Sequence, residues 1–226
     1  MKIYANCICP VISLSENVID LGNLFIHHEY TTCVNLVDDS DFPAKYEFIE
    51  VDDESTHDMA ISFVKYKGSL SPHSTFSAPI KVIPKQLGHL QLFRSIRIYG
   101  SNLPPIDYTI KCLCTGPNLV YSSNIIDFGN TPVLQDVTKV FSIKNDSLIP
   151  ATFTFTLAQN AMFTIDPLEG EIKPGDTLNL AITANLDDSI SYNSSLIMNV
   201  QYLSPITFEL KAKGTGTAIV SSYDMK

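Results

Sequence analysis

Cysteines, histidines and clustered carboxylates are the residues of this 226-residue chain whose types could do chemistry. Four of the five cysteines form two Cys-x-Cys pairs, Cys7/Cys9 and Cys112/Cys114. Zinc needs four ligands converging on one point, usually through Cys-x-x-Cys spacing. In a strand, residues two apart point to the same face, so each pair reads instead as thiols side by side on a buried surface. An odd cysteine count suits reduced thiols of a cytosolic chain. The five histidines, His27, His28, His57, His73 and His89, have neither the spacing of a helical metal pair nor a nucleophile partner. No Gly-x-Ser-x-Gly elbow, P-loop or dinucleotide fingerprint is present. The expectation is a chain with no catalytic residues, no cofactor and no metal.

Two acidic groups, Asp38-Asp39-Ser40-Asp41 and Asp52-Asp53-Glu54 with Asp58, invite a calcium reading, because hard cations want clustered carboxylates. The loop Asp-x-Asp-x-Asp-Gly is missing, so solvated loops are the better reading. Asn145-Asp-Ser147 and Asn193-Ser-Ser195 fit the glycosylation acceptor pattern, which matters only in a secreted chain.

The elements that must position these groups occur twice. NVIDLGN at 17–23 returns as NIIDFGN at 124–130, an offset of 107 residues that also pairs Pro43 with Pro150 and Phe48 with Phe155. Farther on the offset is 102, pairing Gly68 with Gly170 and Pro72 with Pro174, and then 100, pairing Ile110 with Leu210 and Gly116 with Gly216. Matched turns and matched apolar positions mean one fold used twice. The five positions gained by the first copy fall between Phe48 and Ile61, which makes EVDDESTHD a longer loop.

Domains are expected at 11–116 and 117–216, joined by a linker of about two residues. Residues 1–10 read as the closing strand of a preceding repeat or an N-terminal extension, and 217–226 as the start of a following segment or a tail, as in an excerpt of a longer array. In the second copy, strands are predicted at 118–122, 137–144, 151–157, 162–165, 177–184, 194–202 and 206–214. Seven short strands with no helix-period segment predict an all-β chain of two tandem immunoglobulin-like seven-stranded β-sandwiches. The turn Lys173-Pro174-Gly175-Asp176 has the residues of a type II turn. Gly22, Gly129, Pro150, Gly170, Pro174 and Gly175 are expected to mark the fold-defining turns, with Gly129 and Gly170 expected in conformations a side chain would strain.

The chain carries 24 acidic and 15 basic residues, a net charge of −9, of which each repeat holds −5 and the ends +1. Nucleic acid and anionic membranes need clustered Lys and Arg, so neither is an expected partner. Direct microtubule binding is not expected either, because that surface is strongly acidic and would repel this chain unless a local basic patch forms in three dimensions. No run of 18 apolar residues exists, and MKIYANCICPVIS lacks the apolar core of a signal peptide, which predicts a cytoplasmic location.

Asn124 to Gly129, the segment Asn145 to Pro150, the run from Phe163 to Gly175 and the closing Leu210 to Gly216 together resemble the ASH domain, the Hydin-type immunoglobulin-like relative of the major sperm protein (MSP) domain. The first copy keeps Gly68 and Pro72 of the middle motif but has His73 where the second has Gly175. The resemblance implies a non-enzymatic scaffold in a ciliary or flagellar axoneme, in the central apparatus above all. Its implied partners are other axonemal or cytoskeletal proteins and neighbouring repeats of the same chain.

An open sandwich offers edge strands and end loops for contact. Glu50, Asp52, Asp53, Glu54, His57 and Asp58 in the long first-copy loop are the candidate contact residues, with the 71–75 and 185–193 loops beside them. Competing readings are a cytosolic MSP-type adaptor binding short peptide motifs, a centrosomal targeting module, and an extracellular adhesion pair. The adaptor is disfavoured because no Lys/Arg cluster falls on one strand, the adhesion pair by the odd cysteine count and absent Trp.

Overall fold

The computed structural model describes residues 9–49, 55–100, 103–158 and 162–216. It divides into two compact units, one ending at Thr115 and one beginning at Gly116.

Among the described residues, the first unit has nine strands in two sheets. One sheet runs β1(Ile12–Leu14), β3(Tyr30–Asp38), β7(Thr75–Pro84), β5(Met59–Phe63). The other runs β2(Val18–Phe25), β9(Ile106–Thr115), β8(Gly88–Tyr99), β4(Ala44–Ile49), β6(Lys67–Leu70). One short helical turn, α1(Ser55–Asp58), precedes β5.

The second unit repeats this order. Its four-stranded sheet is β10(Leu119–Tyr121), β12(Asp136–Asn145), β16(Thr177–Asn185), β14(Phe163–Asp166). Its five-stranded sheet is β11(Ile125–Pro132), β18(Ile206–Thr215), β17(Ser191–Val200), β13(Ala151–Leu157), β15(Glu169–Ile172). The chain is therefore a pair of immunoglobulin-like sandwiches, each with two strands more than the seven expected.

Both extra strands hide behind turn residues. NIIDFGN reads as a turn because it holds Asp, Gly and Asn, yet it forms β11, which pairs in parallel with β18 across a bulge between Asp127 and Asn130. Gly129 occupies the bulge at φ 66°, and its N–H donates to Asp127 Oδ1 at 2.7 Å. In the first unit Gly22 takes the same φ and donates to Asp20 Oδ1 at 3.0 Å. Each asparagine that opens the motif offers its carbonyl: Asn17 O accepts from Thr109 and Asn124 O from Glu209, both at 2.8 Å. The recurring heptad thus encodes a bulged parallel edge, with the Asp side chain replacing the ladder bond that the bulge removes.

The second hidden strand, β15, contains Gly170. Its φ is not positive, contrary to the strained conformation expected; the requirement comes from packing. A Cβ there would lie 3.2 Å from the ring of Phe153, its cross-strand partner. Gly68 meets Tyr46 in the same way, at 2.8 Å from the hydroxyl oxygen. Gly175 does lie in the left-handed region, at φ 80°, and Asp176 N–H donates to Lys173 O at 3.0 Å to close that turn. Pro174 is exposed within it, and Pro150 is exposed immediately before β13.

Alternation fills the cores. On β13, Ala151, Phe153 and Phe155 are buried while Thr152, Thr154 and Thr156 face solvent. Each buried phenylalanine contributes roughly 2–3 kcal/mol from removed apolar surface. The first core has Tyr46, Phe48, Leu92, Ile96, Tyr108 and Ile110 at its centre.

Candidate interaction edges

Closing two sheets over a core leaves four free edges in the five-stranded sheets: β2 and β6 in the first domain, β11 and β15 in the second. The backbone groups along such an edge have no ladder partner on one side.

At β6 the edge is basic. Lys45, Tyr46, Lys65, Lys67, Ser69 and Tyr99 line an open pocket of about 300 Å³ beside Gly68. Lys45 comes from β4, Lys67 from β6, and Lys65 from the turn before it, where its Nζ lies 6.0 Å from the centre of the Phe76 ring. All three lysines are exposed, and among the described residues none forms an ion pair. Tyr46 is almost wholly buried, and its hydroxyl finds no hydrogen-bond partner. Burial pushes the Tyr46 phenol above its ordinary range. Glu47, cross-strand from Lys67, accepts a hydrogen bond from the Tyr99 hydroxyl.

The same place in the second domain has the opposite character. Strand registers put Thr152 where Lys45 is, Phe153 where Tyr46 is, and Glu169 and Glu171 where Lys67 and Ser69 are. Gln201 follows β17 at the place of Tyr99.

Of the contact residues expected from the sequence, Glu50, Asp52, Asp53 and Glu54 lie outside the described residues. His57 is exposed on α1, and Asp58 is half-buried with its carbonyl accepting from Lys85 N–H at 2.7 Å. In the 71–75 loop, His73 takes φ 50° and its Nε2 lies 2.9 Å from Asp41 Oδ1. The 185–193 loop is tied to its own domain, with Leu186 fully buried and Tyr192 bonded to Asp187 and Asp188. The basic cluster was missed because two strands and a turn assemble it; no single strand carries it, and only Lys65 and Lys67, two apart before a glycine, signalled it.

The acidic and cysteine motifs serve the fold. Asp38 is fully buried, and its Oδ1 accepts from Ser40 N–H at 2.9 Å and from the Ser40 hydroxyl. Asn145, its counterpart, accepts from Ser147 in the same way and also donates through Nδ2 to the carbonyls of Ile149 (2.8 Å) and Ile172 (2.9 Å). Cys112 and Cys114 both point into the first core, where burial first, then the neighbouring Cys114 and Asp20, pushes the Cys112 thiol up to about 11. Among the described residues no group of three or more His, Cys, Asp or Glu could hold a metal ion, and no helix is long and apolar enough to cross a membrane.

Two sandwiches in which β1 and β2, or β10 and β11, lie in different sheets, each with a parallel bulged edge and a glycine-on-aromatic edge, define a tandem of immunoglobulin-like domains. Residues 117–215, the second domain, match the family described as HYDIN/CFA65/VesB-like, Ig-like domain. The whole pair is Hydin-like: it is 30% identical to the hydrocephalus-inducing protein of Mus musculus over 222 residues, 98% of this chain. The chain spans 4% of that relative's length. It is also 20% identical, over 77% of its length, to cilia- and flagella-associated protein 65 of Chlamydomonas reinhardtii, of which it covers 8%. A solved ASH/PapD-like domain of human CEP192 resembles it with a TM-score of 0.41 and 12% identity, across 44% of this chain and 87% of that one.

Proposed function

We propose that this chain is a non-enzymatic docking segment of a ciliary or flagellar axoneme, which holds other axonemal or cytoskeletal proteins through the outer edges of its sandwiches. The similarity of nearly the whole chain to a hydrocephalus-inducing protein, with that to a cilia- and flagella-associated protein, supports the ciliary setting. The observation that carries the docking role is the basic edge at β6, where Lys45, Lys65 and Lys67 stand exposed beside an open pocket and, among the described residues, form no ion pair.

A tagged version expressed in ciliated cells tests this. After detergent extraction the chain is expected to remain with the axonemal fraction; complete release with the soluble matrix would contradict the reading. The net charge of −9 opposes direct contact with the acidic microtubule wall and outweighs the three lysines of the β6 edge. Purified chain is therefore expected to stay in the supernatant when microtubules are pelleted at physiological salt, and salt-sensitive pelleting would show otherwise.

A further inference from the structure

β6 and β15 are equivalent strands of one fold with opposite charge. Each is four residues long, each pairs on one side only, and each lays a glycine against a core aromatic ring. Lys67 and Ser69 face solvent on one; Glu169 and Glu171 face solvent on the other. Among the described residues neither glutamate forms an ion pair, as is true of Lys45, Lys65 and Lys67. Charges therefore stand uncompensated at two places where the backbone can still take a strand.

Pairing either edge with its own kind would set like charges against each other, which disfavours it. Pairing β6 with β15 sets lysines against glutamates. The acidic side has Thr152 where the basic side has Lys45, so no lysine of its own stands beside Glu169 and Glu171 in those strands. Glu47, bonded to Tyr99, offsets one of the positive charges and leaves the edge basic.

We propose that β6 of one chain takes β15 of a second copy as an added strand, with the Glu169 and Glu171 carboxylates seated against Lys45, Lys65 and Lys67. The contact is heterologous, so copies can follow one another head to tail. It stands on the chemistry of the two edges and goes beyond the docking role, needing no ciliary setting.

Sedimentation equilibrium of the full chain, from about 10 to 500 µM, reads the contact directly. The weight-average mass is expected to rise with concentration at about 50 mM salt and to return to the monomer at about 0.5 M. The double substitutions Lys65→Glu/Lys67→Glu and Glu169→Lys/Glu171→Lys, all at exposed positions, are each expected to abolish the rise. Mixed one to one, these two proteins are expected to associate again, since opposite edges are then restored across the mixture. A monomer at every concentration in low salt overturns the proposal. So does association that survives either double substitution, or a mixture that stays monomeric.

Discussion

Tyr46 and Phe153 stand at one place in two copies of a fold, and the difference between them runs through the whole pair. The second domain is the plainer version. Its buried Asn145 saturates the carbonyls of Ile149 and Ile172, its strand pair β17–β18 sets Leu196 against Phe208, and Gly175 occupies the left-handed turn position. The first domain puts Asp38, the pair Arg94 and Tyr108, and His73 in those places. Arg94 is 3% exposed and donates through Nη1 to the Phe93 carbonyl at 2.6 Å. Of the buried side-chain polar atoms left without a partner among the described residues, Asp38 Oδ2, Tyr46 Oη and Tyr108 Oη belong to the first domain and Ser194 Oγ to the second. Each costs about 1–3 kcal/mol. One scaffold tolerates both interiors, and the copy with the basic edge carries the more polar core; the first domain is therefore expected to be the less stable.

Exchanging the copies' residues breaks or sharpens that contrast. The largest effect is expected from Asn145→Asp, which leaves two carbonyls without their donor and buries a carboxylate among them; the second domain should lose about 3–5 kcal/mol, read by chemical denaturation. Next is Gly214→Ala. In the first domain Cys114 fills the corresponding place on β9, but in the second a Cβ would lie 1.9 Å from the Asp188 carbonyl oxygen. The loop must move, at a cost of about 3 kcal/mol.

Asp38→Asn runs the other way. It supplies the amide that Asn145 uses, and the first domain is expected to gain about 1 kcal/mol by the same denaturation measurement. Alkaline pH gives a subtler separation. Burial raises the folded-state pKa of the Cys112 thiol from 9 to about 11 and raises that of Tyr108 as well. The unfolded chain releases these protons first, so stability is full below pH 9 and falls as pH rises toward 11. Ala212 and Phe208 stand at these places in the second domain and cannot titrate, so domain-resolved hydrogen exchange should show the first domain weakening more through this window than the second, whose Tyr192 phenol is raised by its hydrogen bond to Asp187 but is exposed. The smallest effect is expected from His73→Gly, which relieves a φ of 50° but gives up an exposed contact with Asp41 and some unfolded-chain entropy; a gain of roughly 0.5 kcal/mol should appear in thermal melts.

Much of this architecture was legible in the residues. TFTFTL at 152–157 shows its buried face by alternation alone, and the Pro174-Gly175 turn by residue type. Two strands were not, because a bulge and a close approach to an aromatic ring both require glycine, and glycine in a sequence reads first as a turn. Gly170 illustrates the limit: its residue type announced a constraint, but whether φ or packing imposed it depended on Phe153 across the sheet. The basic edge was hidden for a similar reason. Lys45 and Lys65 are twenty residues apart, and only the pairing of β4 with β6 brings them together. Asp38 and Asn145 were aligned by the repeat, yet the sequence read them as a solvated cluster and a glycosylation triplet; their burial follows from their position at the end of an inward-facing strand.

Hydrogen–deuterium exchange of the intact chain through a denaturant series tests the contrast between the copies most directly. Sheet amides within 9–115 are expected to lose protection together, at lower denaturant than those within 116–216. Loss of protection in the reverse order, or in one transition shared by both domains, would contradict it.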